Sequence, residues 1–191
     1  MMYKNAIIIA GGKSSRMGKD KALLPFGTFD TLAEFQYERL KFFFSKVYIS
    51  TKEDKFDFKA ALIYDRYEES SPLVALLSIF ETLDIASVFV LSVDAPFVGK
   101  KIIGYLSSHD KEDIDVIIAQ SPSGEQPLCG FYKKSILPAA QTQYKKGNHK
   151  LTDLLNLVNT KRVAFEDDAP FANLNHSADY EAALKISLYQ S

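Results

Sequence analysis

The chain has 191 residues, 47% hydrophobic and 25% charged, with a formal charge of -1. This is the composition of an ordinary globular protein, long enough for one domain with a sizeable core and short for two. The near-neutral balance gives no global drive toward nucleic acid or an anionic membrane, and the lone Cys129 excludes an intramolecular disulfide.

In chain order, apolar runs alternate with segments of helical period. The opening MMYKNAIIIAGG holds an apolar run too short for the core of a secretion signal, so a cytoplasmic location is expected. Within it, AIIIA (6–10) is continuous and β-branched, as a strand covered on both faces requires. The chain leaves that run through GGKSSRMGKDK (11–21). Lys13, Arg16, Lys19 and Lys21 stand there against Asp20 alone, a local +3 that leaves -4 elsewhere.

TLAEFQYERLKFFF (31–44) places Leu32, Phe35, Leu40 and Phe43 toward one side of a helix, with Asp30 or Thr31 as N-cap and Glu34 completing a capping box. KVYIS (46–50) reads as the next strand, and LVALLSIFETL (73–83) as a helix entered from Pro72. ASVFVLSVD (86–94) is a buried strand ending at an acid. A short helix over 99–109 and a strong strand over 114–119 follow. Residues 127–134 are strand-like, 135–147 are helical but interrupted by Pro138, and 150–158 and 177–189 give two more helices, the last capped by Ser177. Repeated strand–helix units predict a three-layer α/β/α sandwich with a mainly parallel central sheet. Ligands of such sheets bind beyond the carboxyl ends of the strands. Polar chemistry follows two such ends, at 11–21 and 94–97.

Gly11 and Gly12 allow a sharp turn and a close backbone approach to an anion. Arg16 can fork onto two phosphate oxygens, and Lys21 can serve as a point charge at a third. One such contact at about 4 Å contributes roughly 4 kcal/mol at an effective dielectric near 20, so several together would hold a triphosphate. The spacing is not that of a P-loop, because Gly12 to Gly18 encloses five residues and Asp20 follows Lys19. Nor is it the dinucleotide fingerprint, which needs Gly-x-Gly-x-x-Gly. A solvated surface turn is the alternative for the loop, and a turn or capping acid the alternative for Asp94.

IIIAGGKSSRMGKDKALLPFG resembles the motif Leu-Ala-Gly-Gly-x-x-x-Arg-Met-Gly-x-Asp-Lys-x-Leu-Leu of the molybdenum cofactor guanylyltransferases, the MobA family. The resemblance continues in order through YDRYEESSPLVALLSIF, LSVDAPFV, QPLCGFYKKSILPAA, KLTDLL and FANLNHSADYEAA. It implies the Rossmann-like fold of nucleotide-diphospho-sugar transferases and the transfer of GMP from GTP to molybdenum-molybdopterin, with Mg2+ and release of pyrophosphate. By the same resemblance, Ile9, Ala10 and Gly11 meet the nucleotide through their backbone, and Gly12 and Arg16 lie near its phosphates. Lys21 neutralises the α-phosphate region, Ser50 and Asp65 contact the nucleotide, and Asp94 holds the metal. Asn173 and Asn175 stand toward molybdopterin.

The family further implies transient contacts with cofactor-biosynthesis proteins and molybdoenzyme chaperones; a monomer is expected, and the charge balance gives no nucleic acid or membrane partner. Ser50, shorter than the family's Asn, and Ser71, in place of a Gly, depart from the pattern on the base side. Ser92 and Gly99 replace the Cys and Pro around Asp94 at no evident chemical cost. Rival readings are a molybdenum cofactor cytidylyltransferase, a sugar-phosphate nucleotidyltransferase, or a non-catalytic nucleotide-binding regulator. His109, His149 and His176 show no metal-ligand spacing.

Overall fold

The structure, a computed structural model, describes residues 3–11 and 20–188. Gly12 and Arg16, with Lys13 and Lys19, lie outside the described residues. The elements in order are β1 (Tyr3–Ile9), α1 (Leu32–Lys41), β2 (Phe44–Thr51), β3 (Leu62–Tyr64), α2 (Pro72–Thr82), β4 (Ser87–Ser92) and α3 (Lys100–Ser107). Then come β5 (Val116–Ser121), β6 (Gly124–Lys133), α4 (Leu137–Lys145), α5 (Leu151–Leu157), β7 (Thr160–Ala164) and α6 (Ser177–Leu188).

The strands form one sheet in the order β3-β2-β1-β4-β6-β5-β7. Pairing is parallel except where β6 runs antiparallel between β4 and β5. The mainly parallel α/β/α sandwich is therefore as expected. β1 is central, and its unbroken apolar run follows from that place. Ala6 and Ile8 face one core with α1, α3 and α6, while Ile7 and Ile9 face a second core with α2, α4 and α5.

α2 is apolar almost all round because it lies between the sheet and α4. Every residue from Leu73 to Phe80 is buried, including Ser78, whose hydroxyl donates to the Val74 carbonyl and accepts the Arg66 amide.

Several boundaries differ from the sequence reading. The helix predicted over 31–44 stops at Lys41, and Phe44 opens β2. Thr31 is its N-cap, accepting the Glu34 amide at 3.0 Å. Pro138 does not interrupt a helix but stands in the first turn of α4, where its missing N–H has no intrahelical partner to lose. Ser177 is the first helical residue of α6 rather than its cap, and Asp179 in that turn accepts the amides of Asn175 and His176. β3 and β7 were not predicted.

Two features place the site. Strand order reverses between β1 and β4, since β2 and β3 build outward on one side of β1 and β4 begins the other. The crevice of such a sheet opens at that reversal. In addition, β6 carries a bulge: Ile118 pairs with Gly130, yet Ala119 pairs with Gln126. Residues 127–129 therefore have no partner on β5 and are free to line the space beyond β4.

Candidate active site

The basic arm is held at its base. Asp20 caps a 3-10 turn over Lys21–Leu23, its Oδ1 accepting the Ala22 amide at 3.0 Å. Its Oδ2 pairs with Lys55, whose ammonium also donates to the Ala10 carbonyl at 3.2 Å. Lys55 thus ties the exit of β1 to the start of that turn. A solvated surface turn, the alternative reading of this loop, would leave the Lys21 side chain in solvent. Instead it is 15% exposed, and its Nζ stands 3.0 Å from Asp94 Oδ2 and 3.0 Å from Asn175 Oδ1. Three segments far apart in sequence meet at this ammonium.

Asp94 occupies a turn just past β4. Its backbone is fixed from both sides: Val93 donates its amide to the Ile9 carbonyl at 3.1 Å, and Leu174 donates to the Asp94 carbonyl at 2.9 Å. The Ser92 hydroxyl donates to Asp94 Oδ1 at 2.5 Å. The serine that departs from the family pattern thus orients the acid. The resulting carboxylate has one oxygen toward Ser92 and the other toward Lys21, leaving about two of its roughly four lone-pair positions for further partners. Among the described residues no three His, Cys, Asp or Glu side chains converge as a metal cage.

On the other side of β1, the Ser50 hydroxyl donates to Asp65 Oδ1 at 3.3 Å, and a Cβ on Gly11 would stand 3.6 Å from Asp65 Oδ2. Asp65 and the backbone of Gly11 therefore line one edge. Ser50 itself is 1% exposed, and its carbonyl takes the Ala10 amide at 3.0 Å. Its influence on anything bound there runs through Asp65.

Partial burial raises the Asp65 carboxyl above its ordinary value, against the opposing pull of the Ser50 hydrogen bond and of Lys52. A raised native value means that protonation favours the folded state. That contribution is complete below the ordinary carboxylate pKa and is lost as pH rises through the raised one, so near neutrality the anion costs stability. Asp65→Asn should accordingly raise the melting temperature at pH 7 by about 1–3 °C, and the difference should vanish near pH 3, where both forms are neutral. Melting curves at the two pH values check this.

Beyond Asp94 lies a cleft of about 340 Å3, lined by Asp94, Asn173, Phe171, Gln126, Leu128 and Cys129 among others. The β6 bulge supplies its far wall. Glu125 at its edge is held by Arg162 at 2.5 Å, and Gln126 donates to the Ser121 hydroxyl at 3.1 Å. Asn175 is oriented through its backbone, donating to the Asn173 carbonyl at 2.9 Å and to Asp179 Oδ2 at 3.1 Å. Cys129 is buried, which pushes its thiol up to about 12, so it is a packing residue and not a nucleophile.

Lys21, Asp94, Asn173 and Asn175 thus come together, and Gly11, Ser50 and Asp65 form a neighbouring edge along β1 and β2. Ile9 and Ala10 link the two through the backbone. Sequence reasoning missed Lys55, Ser92 and Asp179, each of which acts on a named site residue through a hydrogen bond. Ser92 and Asp179 fall inside the segments LSVDAPFV and FANLNHSADYEAA, yet nothing there assigns them a partner, and Lys55 lies outside every motif. The histidines have other contacts: His109 Nδ1 lies 2.9 Å from the Tyr105 carbonyl, His149 packs on the Tyr144 ring, and the His176 amide joins the Asp179 cap.

The family model described as the MobA-like NTP transferase domain matches residues 6–163. A molybdenum cofactor guanylyltransferase of Campylobacter jejuni subsp. jejuni is 40% identical over 179 residues, covering 93% of each chain. One of Helicobacter pylori is 33% identical over 186 residues, covering 94% of this chain and 91% of its own. Among solved structures, molybdopterin-guanine dinucleotide biosynthesis protein A from Archaeoglobus fulgidus superposes with a TM-score of 0.82 at 19% identity, over 95% of this chain and 97% of that one.

Proposed function

The chain belongs to the MobA-like NTP transferase family and is a nucleotidyltransferase; from that premise we propose that it transfers GMP from GTP to the phosphate of molybdenum-molybdopterin, with Mg2+. The acceptor phosphate oxygen attacks the α-phosphorus of GTP. A new P–O bond forms, the bond to the β-phosphate oxygen breaks, and pyrophosphate leaves with that electron pair. The attacking phosphate is already an anion at neutral pH, so the site needs no strong base. It needs cation density and alignment.

The observation that carries this reading is the meeting of Lys21, Asp94 and Asn175 at one point. A lysine between an acid at the end of β4 and an asparagine before α6 stands where a nucleotide and an acceptor phosphate would be brought together. The names of the relatives supply the identities of donor and acceptor. Gly11 and Asp65 would face the nucleoside, and the cleft bounded by Asn173 and the β6 bulge would take the pterin end.

The residues fit Mg2+. Asp94 offers hard carboxylate oxygens with lone pairs to spare, and magnesium takes one or two protein carboxylates with phosphate oxygens and water completing its shell. Bound there, the ion would withdraw charge from the phosphates and the departing pyrophosphate. No helix among the described residues is long and apolar enough to cross a membrane. The cytoplasm, which holds GTP, is the compartment this reading implies.

The test is incubation with Mg2+, labelled GTP or CTP, and molybdopterin, reading pyrophosphate and the labelled dinucleotide. GTP-dependent product is expected. Product with CTP alone would reassign the base, and nucleotide binding without transfer to any acceptor would indicate a regulator. In the same assay Asp94→Asn should raise the Mg2+ concentration for half-maximal rate by about tenfold or more. An unchanged titration would reassign that acid to a structural role.

A further inference from the structure

α1 carries two polar groups that the transfer reaction does not use. Gln36 is fully buried, and the Arg39 guanidinium is buried deeply enough to lower its pKa to about 10. Arg39 Nη1 donates to the Val98 carbonyl at 2.5 Å, Nη2 donates to Gln36 Oε1, and the buried Nε has no hydrogen-bond partner. Its guanidinium also lies 5.6 Å from the Phe35 ring centre, but no carboxylate among the described residues is bonded to it. Burying a cation without a counter-charge is unfavourable, and a packed apolar pair at i and i+3 on α1 would serve the core better.

What the pair does is complete a sheet that runs out. The ladder from β4 to β6 ends at Leu91–Cys129, because β6 turns into its bulge there. On the β1 side the chain continues in register to Ser92, and Val93 still donates to the Ile9 carbonyl. The carbonyls just past the end of the β6 ladder need other donors. The Ser92 carbonyl takes the Ala95 amide at 3.2 Å; Gln36 Nε2 serves the Val93 carbonyl at 3.2 Å and stands 3.5 Å from that of Ser92, while Arg39 takes the carbonyl of Val98 at the far end of the segment. The segment 92–98, with Asp94 near its start, is thus bracketed at both ends by two linked side chains of one helix.

We propose that Gln36 and Arg39 are positioning residues, a buried relay that fixes the 92–98 turn so that Asp94 faces Lys21. The role assigned to Asp94 at the metal rests on the proposed function; the fixing of the turn does not. The buried cation is retained for registry of the acid and not for stability.

The discriminating variant is Gln36→Glu. It keeps the side-chain shape and gives Arg39 a counter-charge, but it removes the donor to Val93 and sets a carboxylate against that carbonyl. Its melting temperature should stay near that of the unsubstituted protein. The amides of 93–98 should exchange about tenfold faster, and Mn2+ should bind in the presence of GTP about tenfold more weakly, by titration without acceptor.

Should Gln36→Glu fail to fold, Arg39→Lys, which keeps the charge but only one donor direction, is read by the same exchange measurement. Unchanged exchange over 93–98 in the folded variant would overturn the proposal. Asp94→Asn measured alongside separates the two readings. If it weakens Mn2+ binding and Gln36→Glu does not, the positioning role falls. If Asp94→Asn leaves Mn2+ binding unchanged while exchange in Gln36→Glu is faster, the metal reading falls and the positioning of the turn stands.

Discussion

Lys21→Ala is expected to lower kcat by about 100- to 1000-fold while changing the affinity for GTP far less. A fixed cation aimed at charge that develops during transfer contributes roughly 3–4 kcal/mol to the transition state. Lys21 is suited to that role because little of it must be reorganised. Its turn is capped by Asp20, the cap is tied to Lys55, and its ammonium is already located by Asp94 and Asn175.

The same contacts mean that the substitution is not silent for the fold. Asp94 is only 17% exposed in its side chain and would lose its cationic partner. Breaking a partly buried pair of this kind costs about 1–3 kcal/mol, or a fall of roughly 2–10 °C in melting temperature for a chain of this length. Single-turnover and steady-state rates, with a thermal melt, measure both effects. Turnover near the unsubstituted level combined with a lowered melt would make Lys21 a clamp for Asp94 and nothing more.

The second large effect is on folding. A Cβ added at Gly130 would lie 2.2 Å from the Ile117 carbonyl oxygen, 2.9 Å from Ile118 Cγ2 and 3.0 Å from Ile118 Cα. Two of those three atoms are backbone of β5, which is held on its other side by β7. No side-chain rotation can relieve the clash, so β6 must move away from β5 at the middle of the sheet. Gly130→Ala should therefore cost about 4 kcal/mol or more, the range of the most damaging single substitutions. The protein should melt about 10 °C lower or fail to accumulate in soluble form. A melt within about 2 °C of the unsubstituted protein would mean that the β5–β6 approach is looser than described.

That glycine also shows where sequence reading stops. PLCGFYKK reads as a strand, but nothing in it says that the strand runs antiparallel between two others or that it starts at Gly124. Pro127 hides the earlier start. Proline is tolerated in this interior strand because the bulge leaves residues 127–129 without partners on β5. β7, TKRVA, shows only Val163 buried, because it lies at the edge of the sheet with its charged residues partly or fully exposed. A polar edge strand carries no apolar run to detect. β3 has three residues, too few for any period to register.

The centre of the sheet was legible for the opposite reason. β1 from Ala6 to Ile9 and β4 from Val88 to Leu91 are buried on both faces and wholly apolar. The acid after β4 and the lysine after β1 could be picked out because a sheet of this class concentrates chemistry at those two ends. Their partners could not. Ser92 sits two residues from Asp94 and reads as a neutral replacement for cysteine, until the structure turns its hydroxyl onto the carboxylate. Lys55 belongs to no motif, and its meeting with Asp20 spans 35 positions of chain. Asp179 reads as an ordinary acid of a first helical turn, and its hold on the amides before α6 becomes visible only with the cap geometry.

The contact between Lys21 and Asn175 crosses 154 positions, and the Tyr180 hydroxyl, donating to the Pro25 carbonyl, ties α6 to the same neighbourhood. Synthesis delivers the N-terminal part first. A growing chain therefore cannot close this contact until the segment before α6 has emerged from the ribosome, so the Lys21 ammonium gains its asparagine partner only near the end of translation.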